Sequence, residues 1–157
     1  MEHNNWLEIE DAIKFYRTTG KYGFLSNLYK CPVKYFARVY PTAEHAYQYG
    51  KFKDDKVAEW AMQAPKPHLL CILAHGLFPY DITPFWNERK VQRMREVVFC
   101  KFVENKELEQ KLLATGDVVL IEASKTDSFW GCGKKGTGQN ILGLLLMETR
   151  EKIKEMN

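Results

Sequence analysis

The sequence predicts an α+β fold: one mostly helical domain over residues 1–157, packed around a small, largely antiparallel sheet. Three observations lead there. Apolar residues recur at threes and fours through several stretches, most clearly Val91, Met94, Val98 and Phe102. Runs rich in β-branched and aromatic residues are few and short. Strand-like and helix-like stretches do not alternate strictly, as a doubly wound sheet would require.

Taken in order, Ala12 to Tyr16 reads as a strand, broken by Thr18-Thr19-Gly20. Gly23 to Leu28 follows as a loop with apolar anchors. Val33 to Tyr40 suggests a strand pair, although a hairpin there needs a turn at Phe36-Ala37, which is poor turn chemistry. Thr42 can cap a helix that begins at Ala43. A second helix, carrying Trp60, spans Asp55 to Ala64 and is stopped by Pro65-Lys66-Pro67; Pro67 starts a third that runs to Gly76. Thr83 as cap and Pro84 at the first position open a long helix through Phe102. Glu107 to Ala114 is a further helix, ended by Gly116. Val118 to Ile121 reads as a buried strand. Ser124 to Gly138 is a loop holding four glycines, and Ile141 to Met156 closes the chain as an amphipathic helix.

The length suits a sizeable core. A net charge of +3 is too small to mark a nucleic-acid surface by itself, but it suits an anionic small molecule. Cys31, Cys71, Cys100 and Cys132 are scattered, with no Cys-x-x-Cys and no histidine at zinc-ligand spacing. No metal site and no cofactor is expected, and the thiols are expected reduced. The start of the chain lacks the pattern of a signal peptide, and its longest apolar run is too short to span a bilayer, so no membrane partner is expected and the cytoplasm is the expected location.

Two stretches carry candidate chemistry. In Tyr40-Pro41-Thr42-Ala43-Glu44-His45-Ala46-Tyr47-Gln48-Tyr49-Gly50-Lys51-Phe52, helical spacing places Glu44, Gln48 and Lys51 on one face. Glu44 falls in the first turn, where unpaired N–H groups and the helix dipole favour a negative charge. Such a stripe is either a solvated face or an acid, an amide and an ammonium lined up for chemistry. In the second stretch, Thr126 to Asn140, Gly131-x-Gly133-x-x-Gly136 superficially matches a dinucleotide fingerprint. The strand does not run straight into the glycines, and the helix starts only near Asn140, so the match fails. What remains is a glycine-rich surface loop, or a phosphate cradle of glycine N–H groups with Lys134 and Lys135. Asp127 is a turn cap or an acceptor for ribose hydroxyls or a water. Trp130 and Trp86 are each either a core anchor or a flat face for a base.

With these stretches quoted, the chain resembles the NADAR superfamily, and within it the riboflavin-intermediate N-glycosidases. The resembling segments run in order over almost the whole chain: Phe15-Tyr16, Tyr22-Gly23-x-Leu25-Ser26-Asn27, the Tyr40–Phe52 stretch, Trp86 with Val91-x-x-Met94, and Lys101-Phe102. They continue through Leu112 to Gly116, Asp127-x-Phe129-Trp130-Gly131-x-Gly133, and Gly138-x-Asn140-x-Leu142-Gly143 to Arg150. Two departures stand out: Phe36-Ala37 replaces a frequent Asp-Gly turn, and His68 to Tyr80 lacks the arginine-rich stretch common in relatives.

The resemblance implies hydrolysis of a ribosyl C–N bond in a small-molecule N-riboside phosphate, releasing ribose 5-phosphate. It puts the catalytic glutamate on Glu44 and Asp127 in the pocket lining, where a second carboxylate is expected to act as the base for water or to bind a ribose hydroxyl. It puts Trp86 and Trp130 in the pocket, and Asn27, Gln48, Lys51, Gly131, Lys134 and Asn140 among the substrate contacts. Two rival readings stay open: removal of ADP-ribose from guanine in DNA, which a basic groove at Arg89, Arg93 and Arg95 would favour, and a module that only binds ADP-ribose or NAD.

Overall fold

Six α-helices and four strands account for most of residues 5–157, the part of the chain that the computed structural model describes. The fold is α+β, as expected. The strands differ from expectation in forming two separate two-stranded sheets, one parallel and one antiparallel. The chain divides into two compact units: a middle unit, Asn27–Glu104, and a terminal unit, the chain up to Ser26 with Asn105–Asn157.

In the middle unit, β2 (Lys30–Tyr35) and β3 (Arg38–Thr42) form the antiparallel hairpin. Cys31, Val33 and Tyr35 alternate inward along β2, the period of a strand with one buried face. The turn is the unfavourable Phe36-Ala37, and it is made by forcing Phe36 to a φ of 51° with its ring 81 % exposed. α1 (Ala43–Tyr49) follows without a break. The Thr42 hydroxyl accepts from the His45 N–H at 3.1 Å, as its cap position predicts. α2 (Asp55–Ala61) is capped by Asp54, and α3 (Pro67–His75) starts on its proline. Phe52, Ala58, Ala61, Leu70 and Ala74 form one buried cluster of this unit.

The long helix α4 (Trp86–Val103) begins later than Thr83-Pro84 implies. Thr83 does not cap it, because its hydroxyl donates to the Gly50 carbonyl (2.6 Å) and its N–H to the Lys51 carbonyl (2.8 Å). Phe85 takes the cap position at a φ of 59°. Met94, Val97, Val98 and Phe102 form the buried stripe of α4. Lys101 lies in that stripe with no exposed surface, and burial pushes its ammonium pKa down to about 8.

In the terminal unit, β1 (Ile13–Phe15) pairs in parallel with β4 (Leu120–Glu122). α5 (Lys106–Leu113) and α6 (Ile141–Met156) complete it. Gly143 allows the close approach of α6 to β4, since a Cβ there would stand 2.2 Å from the Leu120 carbonyl oxygen. The buried Arg150 guanidinium donates to the Thr115 hydroxyl (2.9 Å) and the Val118 carbonyl (2.8 Å), fastening α6 to the turn before β4.

A left-handed phenylalanine costs on the order of 1 kcal/mol, and asparagine tolerates that conformation better. Phe36→Asn is therefore expected to stabilise the protein by about 0.5–1 kcal/mol, read as a higher urea midpoint at unchanged slope.

Candidate active site

Glu44, Gln48 and Lys51 all lie in the middle unit, and the first two are not on a solvated face. Glu44 is only 9 % exposed and Gln48 4 %. Four residues apart on α1, they meet directly: the Gln48 Nε2 donates to Glu44 Oε1 at 2.7 Å. The same oxygen receives a third residue, the Cys71 thiol of α3, at 3.1 Å. Burial, and then the neighbouring Glu44, push that thiol far above its ordinary value. Glu44 is anchored from behind as well, its N–H donating to the Asn27 carbonyl at 3.0 Å.

Lys51 holds the Ala74 carbonyl of α3 at 2.8 Å. Burial and the charge of Lys90 lower its pKa, with Glu44 pulling the other way. The Glu44 carboxyl thus lies within electrostatic reach of Lys51, and Lys51 within reach of Lys90. Trp86 is 8 % exposed and packs on Tyr47, ring centroids 5.2 Å apart. It contributes to the floor of an open hollow of about 380 Å³ that Tyr35, Phe36, Arg89 and Arg93 also line.

Two of the expected contact residues are enclosed instead. Asn27 donates its amide to the Met94 sulfur (3.2 Å), and its Oδ1, like the Gln48 Oε1, is sealed from solvent without a partner. An oxygen that no solvent reaches is not open to a ligand as the chain stands. The basic groove is also not formed. Arg93 binds the Ala46 and Tyr47 carbonyls at the end of α1 (2.6–3.1 Å), Arg95 pairs with Gln92, and Glu88 and Glu96 share the hollow with Arg89. Gly50 has no side chain because a Cβ would stand 2.4 Å from Arg93 Nε.

Asp127, Trp130, Gly131, Lys134 and Asn140 belong to the terminal unit. Asp127 takes the capping role: its Oδ1 accepts from the N–H groups of Phe129 (2.9 Å) and Trp130 (2.8 Å). It and Trp130 remain partly exposed. Gly131 is buried against β4, where a Cβ would meet Glu122 Oε2 at 2.0 Å. The glycine loop does not offer its N–H groups as a cradle, since those of Gly133, Gly136 and Gly138 donate to the Asp127, Gly133 and Cys132 carbonyls. Lys134 and Lys135 are exposed. Asn140 has no exposed surface, and its side chain is engaged at both ends, accepting from the Glu122 N–H (2.9 Å) and donating to the Leu120 carbonyl (3.0 Å). It is a structural clasp between the loop and β4 rather than a ligand contact.

Sequence reasoning missed two residues. Cys71 reaches Glu44 from an element 27 positions away, so no local spacing could reveal it. Glu122, at the end of β4, has its carboxyl pKa raised to about 7 by burial, with Asp127 adding to the rise and the Ser124 N–H opposing it. No local spacing marks Glu122, since Gly131 lies against it only in the folded chain. Among the described residues, no group of His, Cys, Asp or Glu could hold a metal ion, and no helix is long and apolar enough to cross a membrane. All four cysteines are free.

With that geometry in hand, comparison with known proteins is specific. The model of the NADAR domain matches residues 14–154. The chain belongs to the NADAR family. It is 36 % identical over 144 residues to the N-glycosidase YbiA of Escherichia coli (strain K12), covering 92 % of this chain and 89 % of that one. It is also 36 % identical over 148 residues to the N-glycosidase Npun_R5314 of Nostoc punctiforme, at 92 % and 94 % coverage. Against the riboflavin biosynthesis protein VVA0006 of Vibrio vulnificus (strain YJ016) the identity is 37 % over 147 residues, 94 % of this chain but only 40 % of that protein. The NMR structure of the E. coli protein YbiA superposes with a TM-score of 0.84 at 35 % identity, over 94 % of this chain and 88 % of that one.

A carboxyl with a raised pKa binds more protons folded than unfolded. Between about 4.5, the ordinary value, and about 7, the Glu122 contribution to stability therefore falls as pH rises. Glu122→Gln, neutral at every pH, is expected to remove that decline, a slope below about 1.4 kcal/mol per pH unit. Denaturant melts of both proteins from pH 4 to 8 measure it.

Proposed function

We propose that this NADAR protein is an N-glycosidase that hydrolyses the bond between ribose and a pyrimidine amine in phosphoribosylamino-pyrimidine intermediates of the riboflavin-pathway type, releasing ribose 5-phosphate. The observation that carries the reading is the Glu44 carboxyl, buried at the first turn of α1 and held in place by Gln48 and Cys71. The names of the relatives, two N-glycosidases and a riboflavin biosynthesis protein, support the substrate class.

The chemistry follows from charge. As the C1′–N bond opens, its electrons go to the nitrogen and positive charge builds on the sugar. A preorganised carboxylate stabilises that cation more than the neutral ground state, which lowers the barrier. Water then bonds to C1′, one of its protons leaves, and the amine departs protonated. Glu44 either faces the cation or orients the water. The restraint of its carboxyl serves both roles, because an acid already held in position needs no reorganisation at the moment of reaction. Asp127 and Trp130 keep, on the family resemblance, the parts of second carboxylate and base platform. The mixed charge around Arg89 and the engagement of Arg93 give the DNA reading no support of its own.

Glu44→Gln, matched in shape, is expected to reduce turnover of ribosylaminopyrimidine phosphates by at least about 10²–10³-fold while the circular dichroism spectrum and melt remain those of a folded protein. Mass spectrometry of products from a panel of N-ribosides, with ADP-ribosylated oligonucleotides included, measures it. Undiminished turnover in the variant sinks the assignment, and release of ADP-ribose alone replaces the substrate class.

A further inference from the structure

The contact between Cys71 and Glu44 does more than fill space. Both ends of it are determined by the fold. Glu44 is on the first turn of α1, and Gln48 one turn later holds the same oxygen that the thiol reaches. α3 is tied to the far end of α1 by a second bond, from Lys51 Nζ to the Ala74 carbonyl, three residues beyond Cys71. Two ties one helical turn apart on α3 hold the thiol against the carboxyl. The donor is neutral: burial and the adjacent acid keep the sulfur protonated. A neutral donor orients a carboxylate without cancelling the charge that the developing sugar cation needs. The same protonation makes the thiol a poor nucleophile.

We propose that Cys71 is a positioning residue, whose S–H, together with the Gln48 amide, fixes the orientation of the Glu44 carboxyl. The role in turnover rests on the N-glycosidase reading above; the coupling between the two side chains does not.

Two measurements test it. The first needs no substrate. In the full-length protein, alkylation by iodoacetamide at pH 7–9, followed at each cysteine by peptide mass mapping, is expected to be at least about threefold faster at Cys71 in Glu44→Gln than in wild type, with Cys100 unchanged as internal reference. Removing the adjacent negative charge favours the thiolate. Equal Cys71 rates in the two proteins overturn the contact. The second uses turnover. Cys71→Ala is expected to lower kcat about tenfold with KM little changed, and to move the acidic limb of the kcat/KM profile up by about 0.5–1 unit, because a donor to the charged form is gone. Cys71→Ser, which keeps a donor, is expected to restore most of both. If Ala and Ser variants both retain the wild-type profile, or both lose it equally, the residue is filler and the positioning role falls. A wild-type protein that turns over no riboside, yet shows the alkylation difference, refutes the proposed function and the turnover role while leaving the Cys71–Glu44 contact standing.

Discussion

A carboxyl group is brought out of water in the middle unit, and much around it is arranged to make that tolerable. An acid buried without partners is strongly destabilising. Glu44 sits where a helix can best accept it, in the first turn of α1 with the N–H groups and dipole behind it. Its Oε1 takes two hydrogen bonds, and its own backbone N–H is satisfied by Asn27. The Thr42 cap, the Arg93 guanidinium on the α1 carbonyls and the missing side chain of Gly50 together fix both ends of a helix only seven residues long. A helix that short has little stability of its own. Its rigidity comes from capping and from α3 and α4.

The same surroundings leave costs unrecovered. The sealed oxygens of Asn27 and Gln48 each forgo a hydrogen bond, a penalty of about 1–3 kcal/mol apiece. Phe36 and Phe85 both stand in left-handed backbone, the first at the hairpin turn and the second at the start of α4. Lys101 is buried whole beneath the hairpin's neighbourhood of Tyr29 and Cys31. Such local rule-breaking concentrates where function constrains the chain. The features just named fall within the middle unit, which also holds Glu44, but the terminal unit has its own: Asp11 and Asn140 stand in left-handed backbone, and the buried Arg150 Nε has no hydrogen bond.

The terminal unit follows a different logic. Its loop between β4 and α6 is closed by its own backbone: Asp127 caps it, Asn140 clasps it to β4, and Gly131 lets it lie on Glu122. A stretch that reads as either a glycine-rich surface loop or a phosphate cradle is closed by internal hydrogen bonds, with Asp127 and Trp130 partly exposed. Glycine richness alone does not separate the two cases, because it reports what the backbone is free to do and not which carbonyls its N–H groups find.

Local chemistry was legible in the sequence wherever nearest neighbours decide the outcome. The Thr42 cap, the proline start of α3, the span of α6 and the helical spacing that joins Glu44 to Gln48 all depend on residues within a turn of one another. The start of α4 was misread because Thr83 finds partners at Gly50 and Lys51, more than thirty positions back. The division of the strands into two sheets, the enclosure of Asn27 and Asn140, and the arrival of Cys71 at Glu44 were likewise invisible. Each is settled by long-range packing, in which a side chain's role depends on which distant atoms the fold brings to it. The residue types and their spacing determined that an acid would stand at a helix start; only the folded chain decided that it would be buried there, and by whom it would be held.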